Sequence, residues 1–167
     1  FGLLYKINRL LPPEYFKLLN SYFNNREFRV RFNFSITEKF PINSGVPQGS
    51  VLGPLMYISF TSDLPLAEDT ISGIRSNGTF ADDTVIMASH EDPVKASSRL
   101  QSHIIQVQNW LTRWKIRVNE LKSTQVTFTL RREQCPPVSF NNISLPQSSS
   151  AKYLGFYMDS RLTWRSH

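Results

Sequence analysis

The chain has a single cysteine, Cys135, among its 167 residues. One thiol excludes an intrachain disulfide and any cysteine-based zinc site, and it makes a reducing, intracellular home the default. Charge is missing from Phe40 to Ser62, a run long enough to raise a membrane span. Asn43, Gln48 and the prolines Pro41, Pro47 and Pro54 exclude it. No signal peptide is visible, and no internal repeat. Aspartate is absent from Phe1 to Ser44, where Glu14, Glu27 and Glu38 are the only acids. The chain begins at Phe1 rather than methionine, inside what reads as a helical approach, so a fragment is expected.

What is present reads as one globular domain. Hydrophobic residues make up 40% and aromatics 13%, enough to bury a core at this length. A net charge of +6 and a pI near 9.7 point to a polyanionic partner, although apart from Arg131-Arg132 the basic residues are scattered.

In chain order, Pro13 to Asn24 is expected to be a helix, with proline at its start. Phe28, Val30, Phe32 and Phe34 alternate with Arg29, Arg31 and Asn33. That period of two predicts a strand with an aromatic face inward and a basic face outward. Arg29 and Arg31 read as a solvated face, with phosphate contact as the alternative. Ser44 to Leu55 packs three glycines and two prolines into a fixed loop. Ser50 is placed to cap a helix carrying Leu52, Leu55, Met56, Ile58 and Phe60, which Asp63-Leu64-Pro65 stops. The loop resembles a phosphate cradle in outline. It is not a Walker loop, and by itself it reads as a turn plus a helix start.

Phe80-Ala81 and Val85-Ile86-Met87 read as strands flanking Asp82-Asp83, which would form a hairpin tip. Asp92-Pro93 starts a helix to about Lys115, whose Leu100, Ile104, Val107, Leu111 and Trp114 form a core stripe. Asn119 to Lys122 reads as a turn, Val126 to Leu130 as a strand, and Asn141-Asn142 as a hairpin turn. Ser148 to Ser150 reads as a polar link and Tyr153 to Met158 as a last strand. Two carboxylates at a strand tip suit magnesium, which takes carboxylates together with substrate phosphates. Asp-Asp is also a common turn sequence, and alone it reads as structural.

The ordered set is more specific than any member. Phe80-Ala81-Asp82-Asp83 resembles the aromatic-Ala-Asp-Asp motif of reverse transcriptases, and Gly45 to Pro54 resembles their preceding loop-helix motif. Asn119-Glu120-Leu121-Lys122-Ser123 is similar to their Asn-x-x-Lys-Ser/Thr turn, and Tyr153-Leu154-Gly155 to their primer-grip motif. Phe80 and the closing Leu162 to His167 look most like the jockey-type group of non-LTR retrotransposons.

The resemblance implies an α+β fold: a polymerase palm-type antiparallel sheet packed on helices, with partial fingers. Residues 1–44 would be fingers and palm entry, 45–150 palm, and 151–167 the start of the primer grip and thumb connection. It implies RNA-directed DNA polymerase activity on an RNA template, a DNA primer and deoxynucleoside triphosphates, with two Mg²⁺ ions and a nuclear site of action. Asp82 and Asp83 would be catalytic and metal-binding, and Lys122 would lie near the departing pyrophosphate. Gly45, Pro47, Gln48, Gly49 and Phe80 would lie against template and nucleotide. Tyr153, Leu154 and Gly155 would hold the primer.

The first catalytic aspartate of the family should precede Gly45, and no aspartate is there. It is expected upstream of Phe1, together with the sugar-discriminating residue. Residues 1–167 alone are then expected to leave the Asp82-Asp83 hairpin with an unpaired edge and to extend no primer. A non-catalytic nucleic-acid-binding relic is the alternative. An RNA-directed RNA polymerase is a further one, against which Phe80-Ala81 argues, since glycine usually precedes the aspartates there.

Overall fold

The computed structural model describes residues 2–65, 75–80 and 83–164, with the backbone alone for 75–77. The expectation for Asp82, and for the end of the chain from Arg165 to His167, falls outside the described residues. Helices and strands are mixed along the chain, an α+β class, and the chain divides into two compact units, Phe1–Asp63 and Leu64–His167.

The first unit is built on three helices, α1 (Gly2–Leu10), α2 (Pro13–Phe23) and α3 (Leu52–Thr61). Pro13 starts α2 where the missing N–H costs nothing, and Asn24 ends it. Ile7, Leu19 and Met56, one from each helix, are buried together, with Leu3, Phe16, Phe23, Val46 and Leu52 packed around them. Each such side chain contributes about 1.5–3 kcal/mol. Lys6 is also buried. Its ammonium donates to the Phe60 carbonyl and the Asp63 carboxylate, so α1 is tied to the far end of α3.

Between α2 and α3 the chain forms a ribbon, but not the continuous strand that the alternation predicts. β1 (Glu27–Phe28) pairs with β4 (Phe40–Pro41), and β2 (Arg31–Phe32) with β3 (Ser35–Ile36). At the break, Val30 N–H donates to the Thr37 hydroxyl and the Val30 carbonyl accepts from Thr37 N–H. The inward aromatic face is overturned. Phe28 is 47% exposed, Phe32 74% and Phe34 101%. The core of this unit is filled by the helices, and the ribbon leaves both faces in solvent.

The second unit centres on α4 (Pro93–Arg113). The Asp92 carboxylate caps its first turn, accepting from the Val94 and Lys95 amides at 2.8 and 3.2 Å. Those bonds hold the Asp92 carboxyl below its usual range. At the other end Lys115 turns left-handed (φ +55°). The Ile116 and Lys115 amides then reach back to the Leu111 and Thr112 carbonyls, closing the helix as a Schellman motif. Of the expected stripe, Ile104 and Val107 are buried while Leu100, Leu111 and Trp114 are half-buried. Ala96, Ser97, His103 and Trp110 complete the buried face.

The strands of this unit pair as β5 (Arg75–Phe80) with β6 (Asp83–Ala88), β7 (Gln125–Val126) with β10 (Gln147–Ser148), β8 (Ser139–Phe140) with β9 (Ile143–Ser144), and β11 (Ser150–Tyr153) with β12 (Phe156–Asp159), and β6 and β8 pack on α4. The β7–β10 pair is parallel and the other pairs are antiparallel. Among the described residues every sheet is two-stranded. The strand expected from Val126 to Leu130 stops at Val126, and Ser148 and Ser150 stand in strands rather than in a link. Asn141 and Asn142 turn left-handed between β8 and β9, the type I′ geometry their sequence predicts. Ile104, Val138, Phe140 and Leu145 form the core, joined by Ile86 of β6.

Phe140→Ala should destabilise this unit by about 3–5 kcal/mol, read from urea unfolding followed by the fluorescence of Trp110 and Trp114. Leu121→Ala, at an 88% exposed side chain, should change it by less than about 0.5 kcal/mol.

Candidate functional site

Asp83 opens β6 and is paired with Phe80 at the end of β5. The carboxylate is exposed, as is the Phe80 ring. Ala81 and Asp82 lie between that pair and outside the described residues, so the structure places one of the two expected carboxylates. β5 and β6 pair with each other and, among the described residues, with nothing else. Asp83 offers the hard oxygen donors that magnesium takes. Among the described residues, however, no group of three or more His, Cys, Asp or Glu side chains is placed to hold an ion. The donor type fits a divalent metal, and Asp83 is the one of the two expected carboxylates among the described residues.

The primer-grip sequence does not form one strand. Tyr153 ends β11, Leu154 and Gly155 form a two-residue turn with φ of +49° and +87°, and β12 returns antiparallel. Two left-handed residues in a two-residue hairpin loop are the type I′ arrangement, which matches the twist of the strands. Tyr153 points to the aspartate hairpin. Its hydroxyl donates to the Gly78 carbonyl at 3.5 Å, a long bond, and a Cβ on Gly78 would lie 3.4 Å from that oxygen and from Val85 Cγ1. Both are ordinary van der Waals distances, so it is the Tyr153 hydroxyl, not the missing Cβ, that links β11 to β5. This link was missed in the sequence, where a side-chain bond between residues 75 positions apart leaves no local signal.

The Asn119 turn is a short 3-10 segment, Glu120–Lys122. The Asn119 carbonyl and side-chain oxygen accept from the Lys122 amide at 3.1 and 3.3 Å, and the Ser123 hydroxyl donates back to the Asn119 carbonyl. The motif's asparagine and serine thus shape the turn and leave the Lys122 side chain exposed. Glu120 accepts from the Asn141 side-chain amide, Nδ2, at 2.6 Å. That bond, then the Glu120 backbone amide and the Arg117 charge, holds its carboxyl below the usual value.

In the first unit the Gly45–Pro54 loop has left-handed backbone at Gly45 (φ +83°) and Gly49 (φ +80°). A side chain would have room at both, so it is the dihedral that calls for glycine there. Gly53 is different, since a Cβ would meet the Ser50 hydroxyl at 3.2 Å and the Pro47 carbonyl at 3.3 Å. Ser50 does cap, its hydroxyl accepting from the Gly53 amide at 3.0 Å, although Val51 holds the position just before α3. Pro47 is half-buried, while Gln48 and Gly49 are exposed on the loop. Arg26 was not singled out in the sequence, yet its guanidinium donates to the Gly45 carbonyl at 2.6 Å and to the Phe23 carbonyl at 3.2 Å. The loop is thereby tied to the base of the ribbon.

Glu120 sets a pH dependence. A carboxyl that titrates lower in the folded state contributes stability above its unfolded pKa, about 4.3, and loses it as pH falls through the lowered value. Stability to urea should therefore fall on acidification below that point, with a smaller fall in Glu120→Gln. Equal slopes in the two proteins would remove this assignment.

Residues 2–158 match the reverse transcriptase (RNA-dependent DNA polymerase) family. A probable RNA-directed DNA polymerase from transposon X-element of Drosophila melanogaster is 40% identical over 99% of this chain and 18% of its own length. The RNA-directed DNA polymerases from mobile element jockey of Drosophila melanogaster and Drosophila funebris are 37% and 36% identical, again over 99% of this chain and 18% of theirs. The chain thus spans about a fifth of the length of these curated relatives. No solved structure matches significantly. Among the described residues no helix is long and apolar enough to cross a membrane. By the match over almost its entire length, and by relatives among the jockey-type elements, the chain belongs to the reverse transcriptase family.

Proposed function

We propose that the chain is part of an RNA-directed DNA polymerase that copies an RNA template onto a DNA primer. The observation that carries this reading is the β5–β6 hairpin ending on Asp83, in a chain of this family with relatives named for that activity. In the reaction a primer 3′-oxygen bonds to the α-phosphorus of a deoxynucleoside triphosphate, the bond to the β-phosphate bridging oxygen breaks, and pyrophosphate leaves. The hydroxyl proton passes to solvent or a nearby base. Asp82 and Asp83 are the carboxylates we assign to divalent metal, magnesium in this reading, with two ions in the complete site. Bound metal would supply charge neutralisation at the attacking and leaving oxygens.

Lys122, carried on the turn that Asn119 shapes, would give a proton or a charge contact to the departing pyrophosphate. Gly45, Pro47, Gln48 and Gly49 would lie against template and nucleotide with Phe80, and the Tyr153-Leu154-Gly155 hairpin would hold the primer end. The finer architecture belongs to the same proposal: a palm over residues 45–150, fingers and palm entry over 1–44, and a primer-grip region from 151. So does action in the nucleus.

The test is incorporation of deoxynucleotides on a primed RNA template by this chain extended with the flanking regions its relatives have. Asp82→Asn and Asp83→Asn should each lower incorporation by about a hundredfold or more while leaving primer-template binding intact. Lys122→Ala should lower the rate and leave the affinity for nucleotide nearly unchanged. Incorporation by both aspartate variants at the parent rate would overturn the assignment.

A further inference from the structure

The ribbon between α2 and α3 has no task in the reading above. Its aromatic residues lie in solvent, most of all Phe34, which with Asn33 forms the two-residue turn joining β2 to β3 and is 101% exposed. Phe32, next to the turn, is 74% exposed. The Phe28 and Phe40 rings are partners across the base of the ribbon, with centroids 5.5 Å apart.

The ribbon's charge is one-sided. Lys39 and Glu27 pair at 2.9 Å, and Arg26 is engaged by the Phe23 and Gly45 carbonyls. That leaves Arg29 and Arg31 exposed, with no ion-pair partner among the described residues, against one remaining acid, Glu38. Free guanidinium groups on one ribbon with a bare ring at its turn are what single-stranded nucleic acid uses: cations track its phosphates, and an aromatic face stacks on an unpaired base. A duplex offers the phosphates but hides the base faces. A protein partner would have to bring its own carboxylates to two arginines and still fill the space around a lone ring at a tip.

We propose that the β2–β3 turn is a docking site for single-stranded polynucleotide, with Arg29 and Arg31 on successive phosphates and Phe34 stacked on one base. The site deepens the polymerase reading and rests on it for the nature of the partner. Its position agrees with that reading. The base of the ribbon is fastened to the Gly45 loop by Arg26, and the Ile42 amide donates to the Arg26 carbonyl at 2.8 Å. A strand lying along the ribbon is led toward Gln48.

The experiment is fluorescence anisotropy with labelled oligonucleotides of about a dozen nucleotides: single-stranded RNA, single-stranded DNA and a duplex of the same sequence, over a range of salt. The chain should bind either or both single strands more tightly than the duplex. If RNA and DNA differ, the tighter arm names the strand the site prefers. Arg29→Ala with Arg31→Ala should reduce the steepness of the salt dependence by about 1.4, from roughly 0.7 for each phosphate contact on a single strand. Phe34→Ala should weaken binding about tenfold with the salt dependence unchanged. Phe34→Trp should restore it and be quenched by the bound strand. All these side chains are exposed, so circular dichroism of the variants should equal that of the parent.

Parent-like affinity in both the arginine and the Phe34 variants overturns the docking site and leaves the polymerase reading standing. A changed oligomeric state in Phe34→Ala with unchanged oligonucleotide affinity assigns the turn to a protein partner and also overturns it. No binding of any oligonucleotide by the parent chain also overturns the docking site, while the polymerase reading stands or falls by incorporation in the extended chain.

Discussion

Backbone groups that no neighbouring strand reaches must be satisfied by something else, and in the larger unit that constraint is met by glutamine side chains. The segment from Pro136 to Asn141 has a two-residue ladder of its own, yet Val138 and Phe140 are buried. Gln101 of α4 gives a hydrogen bond to the Ser139 carbonyl and takes one from the Ser139 amide, at 2.9 and 2.7 Å. Gln125 of β7 takes the Val138 amide and gives to the Pro136 carbonyl, and Ser97 gives to that same carbonyl. Gln108 takes the Asn141 amide. An unpaired buried group would cost about 1–3 kcal/mol, so these amides do what an adjacent strand would do. They also fix where α4 lies against the segment. Because Ile86 of β6 packs into the cluster that Ile104 of α4 forms with Val138 and Phe140, the placement of the Asp83 hairpin is inherited from this stitching.

Local signals in the sequence survived folding. Pro13 and Asp92-Pro93 start helices, Asn141-Asn142 makes a type I′ turn, and Asn119 caps its own short turn, each because the residue carries its geometry with it. Signals that needed a partner did worse. The alternation from Phe28 to Phe34 described a surface with two unlike faces, but it held no information on what would cover the aromatic one. The helices of its unit bury Ile7, Leu19 and Met56 against one another instead. Likewise Val126, Phe128 and Leu130 alternate, but pairing to Gln147–Ser148 stops after two residues. The buried Lys6 was invisible to any periodicity argument, since a lysine becomes buried only where a distant acid and carbonyl meet it.

The family was easier to read than the scaffolding of its motifs. The motif order was legible because each motif is a short local sequence, and membership of the family bears that reading out. What the motifs do physically was not legible. Asn119 and Ser123 bond to the backbone of their own turn. Gly53 is small because Ser50 and Pro47 crowd it. In these motifs the residues that would touch substrate are few, and the others hold them out.

Leu154 makes the same point through strain. A leucine at φ +49° pays roughly 1–2 kcal/mol for a conformation that glycine or asparagine takes more cheaply. The hairpin tolerates it because Gly155 takes the second left-handed position and four paired residues on each strand enforce the turn. Tyr153 adds a constraint from outside the hairpin through the Gly78 carbonyl. With asparagine at position 154 the turn would form more readily, but the tip would lose an apolar side chain that is 43% exposed, beside Phe156 at 50%. The strained, apolar tip is thus fixed from two sides, by its own four-residue ladder and by the bond from Tyr153 to the hairpin that carries Asp83.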